Sequence, residues 1–368
     1  MLLSGRNLFI LRNYLYEIPY WVFILITYVL VRFGGSHNAD LNVLIFYDKP
    51  TIGLLLVYAI IIGAIFGTIL ATGRLFFWSN MCKKISIGKS IIVQTVISTL
   101  IFILLVFTIL TIHEISLGNN VEIAMFSDFL SDQYSLTTLL ILIGLVIYAK
   151  VQFNLLLEAD KKLGINVLKN LLLGKYHEPI QEERIFMFLD MKDSTKTAEV
   201  LGHIRYSRYL QDIFKLLTDI VIDLKAEIYQ FVGDEVVLTW KSDIGYQNNN
   251  ALHFFHGFQE LLHENWEYFD KNYGVNPIFK AGLHRGVVSV AEVGEINTQI
   301  AYHGDVVNTT SRIQELCNVY ETNLLVSEKF MSGMEALPAN FKENAAEINL
   351  RGRVQPIKIY NLEMAPAK

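Results

Sequence analysis

The chain has 368 residues, a formal charge of −5 and 52% hydrophobic residues, so it can fill two or more domains and is more apolar than an ordinary soluble protein. Its mild acidity gives no basis for nucleic-acid binding, and Cys82 and Cys317, far apart and without His or Cys at ligand spacing, support neither a disulfide framework nor a zinc site. Nearly all the apolar excess precedes about Leu157, and the N-terminus lacks the short apolar core and small-residue cleavage site of a removed signal peptide.

Four apolar stretches have about the length of a bilayer-crossing helix: Ile18–Phe33, Ile52–Thr72, Ile91–Ile112 and Leu136–Leu156. Arg6 and Arg12 precede the first, and Arg74, Lys83, Lys84 and Lys89 fill the link between the second and third. The link between the third and fourth is acidic, with Glu114, Glu122, Asp128 and Asp132. The positive-inside rule then puts both termini in the cytoplasm of a cell (inner or plasma) membrane, with the lipid bilayer as partner. No span has an ionisable residue at its centre, which argues against transport or proton relay.

After the fourth span, Ile165, Leu168, Leu171 and Leu172 recur at helical spacing among Lys161, Lys162 and Lys169. The pattern suits an amphipathic helix, either packed on its own domain or forming a parallel dimer stalk. Gly174 is a plausible helix stop, with Pro179 just beyond.

Arg184–Thr195, RIFMFLDMKDST, is an apolar run that delivers a carboxylate. It reads as a strand buried on both faces, with Asp190 and Asp193 at its mouth and Asp193 or Ser194 as the N-cap of a following helix. Next, IYQFVGDEVVLTW reads as strands Glu227–Val232 and Glu235–Trp240 joined at Gly233-Asp234, a hairpin signal. A helix over about Asn249–Tyr273 and the strand-like FKAGLHRGVVSVAEVG follow. Strand–helix–strand–strand–helix–strand is the order of a ferredoxin-like split βαβ fold, in which Asp190 and Asp234 become neighbours.

Two converging carboxylates repel, and a hard divalent cation relieves them; Mg²⁺ takes one or two carboxylates together with phosphate oxygens. The turn Met191–Thr195, at a helix start, offers N–H groups to an anion. Farther on, YHGDVVNTTSRIQEL sets Asn308 and Arg312 four apart on one helix face, an amide and a guanidinium suited to a ribose oxygen and a triphosphate. LRGRVQPIKIY adds Arg351 and Arg353 as cationic candidates.

Taken in order, FLDMKDST, IYQFVGDE, AGLHRGVV, YHGDVVNTTSR and LRGR with IKIY resemble the catalytic domain of class III nucleotidyl cyclases over about Arg184–Leu362. The resemblance implies a homodimer joined through this domain, with active sites between subunits; the connector, read as a stalk, is a further expected dimer contact. It implies that Asp190 and Asp234, with Met191 beside them, hold two Mg²⁺ (or Mn²⁺). Asn308 of the other subunit would position the ribose and Arg312 would stabilise charge on the α-phosphate. It further implies phosphate contacts from Lys192, Asp193, Ser194 and Thr195, and a triphosphate contact from Arg351 or Arg353.

The base-reading positions depart from the family. Gln230 stands where adenylate cyclases commonly carry Lys, and Ala301 where they carry Asp, Thr or Ser; guanylate cyclases use Glu and Cys. A Gln amide can present either edge, so it serves adenine or guanine. The expected fold is an α-helical membrane domain of four transmembrane helices (1–157), a cytoplasmic connector (158–183), an α+β ferredoxin-like class III cyclase catalytic domain (184–362) and a tail (363–368). The expected activity is conversion of ATP to cyclic AMP and pyrophosphate. GTP as substrate, or a nucleotide-binding receptor without activity, is the alternative. A diguanylate cyclase is disfavoured, because Gly233-Asp234-Glu235 only partly echoes the GG[DE]EF signature.

Overall fold

The computed structural model describes residues 5–33, 52–78, 85–116, 133–163, 170, 173–295, 298–338, 341–348 and 357–364. The connector residues Ile165, Leu168, Leu171 and Leu172, and Arg351 and Arg353, lie outside them. The chain divides into two compact units, Asn7–Lys162 and Leu163–Lys368.

The first unit contains α1 (Gly5–Phe33), α2 (Ile52–Gly73), α3 (Ile87–Ser116) and α4 (Gln133–Leu163). A π-helical turn, Arg74–Trp78, continues α2. Each helix has a stretch long and apolar enough to cross a membrane: Asn13–Arg32, Ile52–Phe77, Ile87–Ile109 and Leu136–Asp160. Leu25, Leu55, Leu70 and Val146 are buried, whereas Leu30, Ile61, Leu104 and Leu140 face outward. A bundle that is apolar on both faces is suited to lipid rather than water. Trp21, Phe66 and Phe102 form its aromatic centre through edge contacts. The first span begins earlier than the apolar run predicts and takes in Glu17; Arg74 lies near the end of the second, whereas Lys150 lies close to the middle of Leu136–Asp160, against the expectation that no span has a charge at its centre.

The second unit is built on β1 (Ile180–Met191), α5 (Ser194–Asp223), β2 (Glu227–Val232), β3 (Glu235–Lys241), α6 (Ser242–Tyr246), α7 (Asn250–Glu264), α8 (Trp266–Tyr273) and β4 (Phe279–Val293). Then follow β5 (Gln299–His303), α9 (Asp305–Glu315), β6 (Leu324–Ser327), α10 (Glu328–Met331), β7 (Phe341–Ile348) and β8 (Ile357–Met364). The sheet runs β2-β3-β1-β4-β6-β8-β7, with β5 pairing β4. Its first four members carry the expected ferredoxin-like order.

Strand β1 is apolar without interruption from Ile185 to Leu189 because the two faces of that stretch fill separate cores. Ile185, Met187 and Leu189 pack with Tyr209, Leu217, Phe254 and Phe258 of α5 and α7. Phe186 and Phe188 pack on the other face with Val237, Val288, Val290 and Val306. Both neighbours of β1, β3 and β4, are antiparallel to it. The predicted helix over Asn249–Tyr273 divides at Asn265, whose side-chain amide donates to the Leu261 carbonyl.

Candidate active site

Asp190 is the penultimate residue of β1, in register with Lys280 of β4. Lys280 Nζ lies 3.1 Å from Asp190 Oδ2, and Gln314 Nε2 donates to the same oxygen at 3.1 Å. Asp234 is in the β2–β3 turn, which Gly233 makes possible by taking φ +66°, a left-handed conformation that costs glycine little. The hairpin and β1 are adjacent through β3, so the turn returns to the mouth of β1, as the sequence predicts.

The electrostatics of this corner follow from crowding. Burial holds the Asp234 carboxyl above the usual carboxylate range; a hydrogen bond with Ser194 works against that, and the charge on Asp190 adds to it. Glu235 is pushed up to about 7 by burial and then by Asp190, Asp234 and Glu315, with Lys280 opposing. The Tyr206 phenol, which also hydrogen-bonds with Ser194, is pushed up to about 12 by burial and then by Asp234 and Asp190. Lys280 is thus the positive charge set among several carboxylates.

Asp234 Oδ2 is buried and has no hydrogen-bond partner. An acceptor that is buried, crowded by like charge and without a donor fits a cation. Among the described residues no three His, Cys, Asp or Glu side chains form a metal-holding group. Two carboxylates completed by substrate oxygens is the arrangement that Mg²⁺ commonly takes.

The anion-binding turn is narrower than expected. The Lys192 amide donates to the Ile278 carbonyl at 2.8 Å, so that N–H is already engaged. The Met191 side chain is buried in the core. Asp193 is the residue before α5, in the left-handed region at φ 56°, and its side chain makes no capping hydrogen bond. The first amides of α5, those of Ser194 and Thr195, remain the N–H groups a helix start leaves for an anion. The Lys192 side chain borders a polar cavity of about 420 Å³ with Lys280, Asn318 and Thr322.

Asn308 and Arg312 stand on α9, but not beside Asp190. At 3.6 residues per turn they are about 40° apart, and Gln314 lies about 120° or more around the helix from each. Gln314 is buried against the Asp190 carboxylate, while Asn308 is exposed and Arg312 partly so. Gln230 is exposed on β2, directly after a bulge at Tyr229. Ala301 lies on β5 opposite Ala291. Sequence reasoning missed Lys280, Gln314 and Tyr206. Lys280 shares β4 with a second cation, Arg285, and so does not stand out in the sequence; Gln314 and Tyr206 look like ordinary helix residues.

Residues 176–364 match the family model described as the adenylate and guanylate cyclase catalytic domain. The chain belongs to this cyclase family. Adenylate cyclase 2 of Rhizobium meliloti (strain 1021) is 32% identical over 206 residues, covering 56% of this chain and 57% of that protein. An adenylate cyclase of Anabaena cylindrica is 24% identical over 186 residues, 48% of this chain and 36% of that one. The chain therefore spans little more than half the length of the first relative and about a third of the second. Among solved structures, a bacterial light-regulated adenylyl cyclase has a TM-score of 0.48 at 19% identity, covering 67% of this chain and 66% of that one. The adenylyl cyclase CyaB from P. aeruginosa has a TM-score of 0.43 at 16% identity, covering 51% and 97%. The cyclase match takes in β1–β8 and leaves out the four-helix unit.

Proposed function

We propose that the protein is a membrane-anchored adenylate cyclase, working as a homodimer that makes 3′,5′-cyclic AMP and pyrophosphate from ATP. The observation that carries this reading is the Asp190–Asp234 corner with its orphaned Asp234 oxygen, in a chain whose cyclase domain also holds Asn308 and Arg312. The proposed organisation is a membrane domain over 1–157, a connector over 158–183, a catalytic domain over 184–362 and a tail, with both termini cytoplasmic.

Asp190 and Asp234 would hold two Mg²⁺ or Mn²⁺, whose chemistry is to favour the ionised ribose 3′-hydroxyl and neutralise the phosphates. The chain's residues supply the rest. Lys280 and Gln314 fix the Asp190 carboxylate, and Ser194 fixes Asp234. Amides of Ser194 and Thr195, with Lys192 nearby, receive phosphate oxygens. The 3′-hydroxyl gives its proton to solvent water and its oxygen attacks the α-phosphorus, forming one O–P bond; the α–β bridging bond breaks and pyrophosphate takes its electron pair. Asn308 would orient the ribose, and Arg312 would meet the charge that grows on the α-phosphate.

That Asn308 and Arg312 turn away from their own chain's aspartates supports their serving a second copy. Exposed apolar side chains on α5 and β2, Val200, Ile204, Phe231 and Val232, supply contact surface of the kind association covers. GTP is the second reading, favoured by the exposed Gln230 amide and by Ala301, whose side chain forms no hydrogen bond to the base. The test is product analysis of the full chain in membranes with Mn²⁺ and each nucleotide. Cyclic AMP formation that is lost in Asp190→Asn is expected; no cyclic nucleotide from either substrate would overturn the proposal.

A further inference from the structure

The four-helix unit contains a buried ion cluster that the cyclase chemistry does not use. Glu17 of α1 is fully buried, Lys150 of α4 is 3% exposed, and the Arg74 side chain, from the π-helical turn after α2, is 18% exposed. Lys150 Nζ donates to Glu17 Oε1 at 2.8 Å; Arg74 Nε donates to Glu17 Oε2 at 3.0 Å and its terminal nitrogen to Oε1 at 3.3 Å. Both cations also lie over the Phe153 ring, at 5.2 Å for Arg74 and 5.5 Å for Lys150. One carboxylate thus joins three helices.

Helices α1 and α2 share polar and aromatic contacts too, Arg74 on Glu17, Tyr14 on Thr72 and Trp21 on Phe66, but add close backbone approach to them. A Cβ at Gly63 would lie 2.7 Å from the Val22 Cα, and one at Gly67 2.8 Å from the Ile18 Cα. Those backbones touch, as small residues allow in membrane helices, and form a fixed pair. Helix α4 meets the same stretch of α1 through polar and aromatic groups: Lys150 on Glu17, the Tyr20 hydroxyl on the Ala149 carbonyl at 2.7 Å, and Phe153 against Tyr20. Ionisable groups within a span are costly and are kept where they do something, and a π-helical turn is often found at functional positions. Loss of one partner from a buried ion pair leaves an uncompensated charge, so such a contact is either fully made or released.

We propose that Glu17, Lys150 and Arg74 form a charge clasp that holds α4 against the α1–α2 pair, and that its state sets the output of the catalytic unit that follows α4 in the sequence. The clasp rests on the reading of the chain as a membrane-anchored cyclase only for its output. Its structural half stands on the geometry alone.

The test uses the full chain in membrane vesicles, with two readouts. The first is cyclic nucleotide formed per inserted chain, for the wild type, Glu17→Gln, Lys150→Gln and the double variant. The second is the rate at which N-ethylmaleimide labels Asn154→Cys, in a Cys82→Ser, Cys317→Ala background. Asn154 is 3% exposed and one turn beyond Lys150 on α4. The expected results are an activity change of about fivefold or more, in either direction, the range of ordinary coupling between sites, with the double variant no further changed than either single one. Labelling should quicken about tenfold in Glu17→Gln, as local opening makes a buried thiol reachable. Unchanged labelling would overturn the clasp. Faster labelling with unchanged activity per inserted chain would overturn its control of output. A wild type without product would refute the cyclase reading and with it control of output, leaving the structural half to be judged by labelling.

Discussion

Gln314 donates a hydrogen bond to Asp190 at 3.1 Å, and so fastens α9 to the Asp190–Asp234 corner of its own chain. The opposite side of that helix carries Asn308 and Arg312. A helix fixed this way cannot turn both faces to one carboxylate pair, which supports the proposal that the groups holding metal and the groups meeting the reacting phosphate come from different copies. The fastening depends on close approach: a Cβ on Gly282 of β4 would lie 2.5 Å from the Gln314 backbone nitrogen.

Gly282→Ala should therefore push α9 off the sheet. Overpacking of this kind costs about 1–3 kcal/mol, and the activity loss should exceed what the stability loss explains, because Arg312 moves with the helix. Denaturation midpoints and kcat measured on the same preparation check both parts.

Metal binding can be read without turnover. Mn²⁺ or Mg²⁺ should raise the unfolding temperature of the catalytic unit, by the equivalent of about 2.7 kcal/mol at a hundredfold excess over Kd. Asp190→Asn and Asp234→Asn should lose that response. Asp234→Asn should also be at least as stable as the wild type without metal, since it removes a buried carboxylate oxygen with no hydrogen-bond partner.

His256 gives the unit a pH dependence away from the active site. Burial, and then the neighbouring His253, lowers its pKa to about 4 from the usual histidine value of 6.5. A histidine depressed in the folded state contributes stability that is complete above about pH 6.5 and is lost as pH falls toward 4. Allowing for partial solvation, the loss should be about 1–2 kcal/mol. Urea midpoints at pH 7 and pH 5 should differ accordingly, and His256→Gln should flatten the difference.

The strand β1, the hairpin with Asp234 and the helix with Asn308 and Arg312 were legible because each has a local cause: an apolar run, a Gly-Asp turn, a four-residue spacing. Lys280 and Gln314 were not, since what places them at Asp190 is the register of β4 and the tight seat of α9, both set by contacts distant in sequence. Glu17 was hidden for a similar reason. Placed before Pro19, it looks like the polar margin of a span, and only the three-helix packing shows that Lys150 and Arg74 enclose it. The Lys192 amide also looked available until its bond to Ile278 was seen.

Base choice should respond to two positions. Gln230→Lys with Ala301→Asp restores the donor and acceptor that adenine recognition uses, and should raise the ATP-to-GTP ratio of kcat/KM about tenfold or more. Competition assays of both nucleotides check it; an unchanged ratio would show that other residues read the base.

The most direct measurement concerns the sharing of sites between copies. Asp190→Ala and Arg312→Ala chains, each inactive alone, are co-expressed in equal amounts. If sites are shared, half of the dimers are mixed and each mixed dimer has one intact site of two, so about a quarter of wild-type activity should return. Activity no higher than that of the separate variants, with mixed dimers shown to form, would contradict the account.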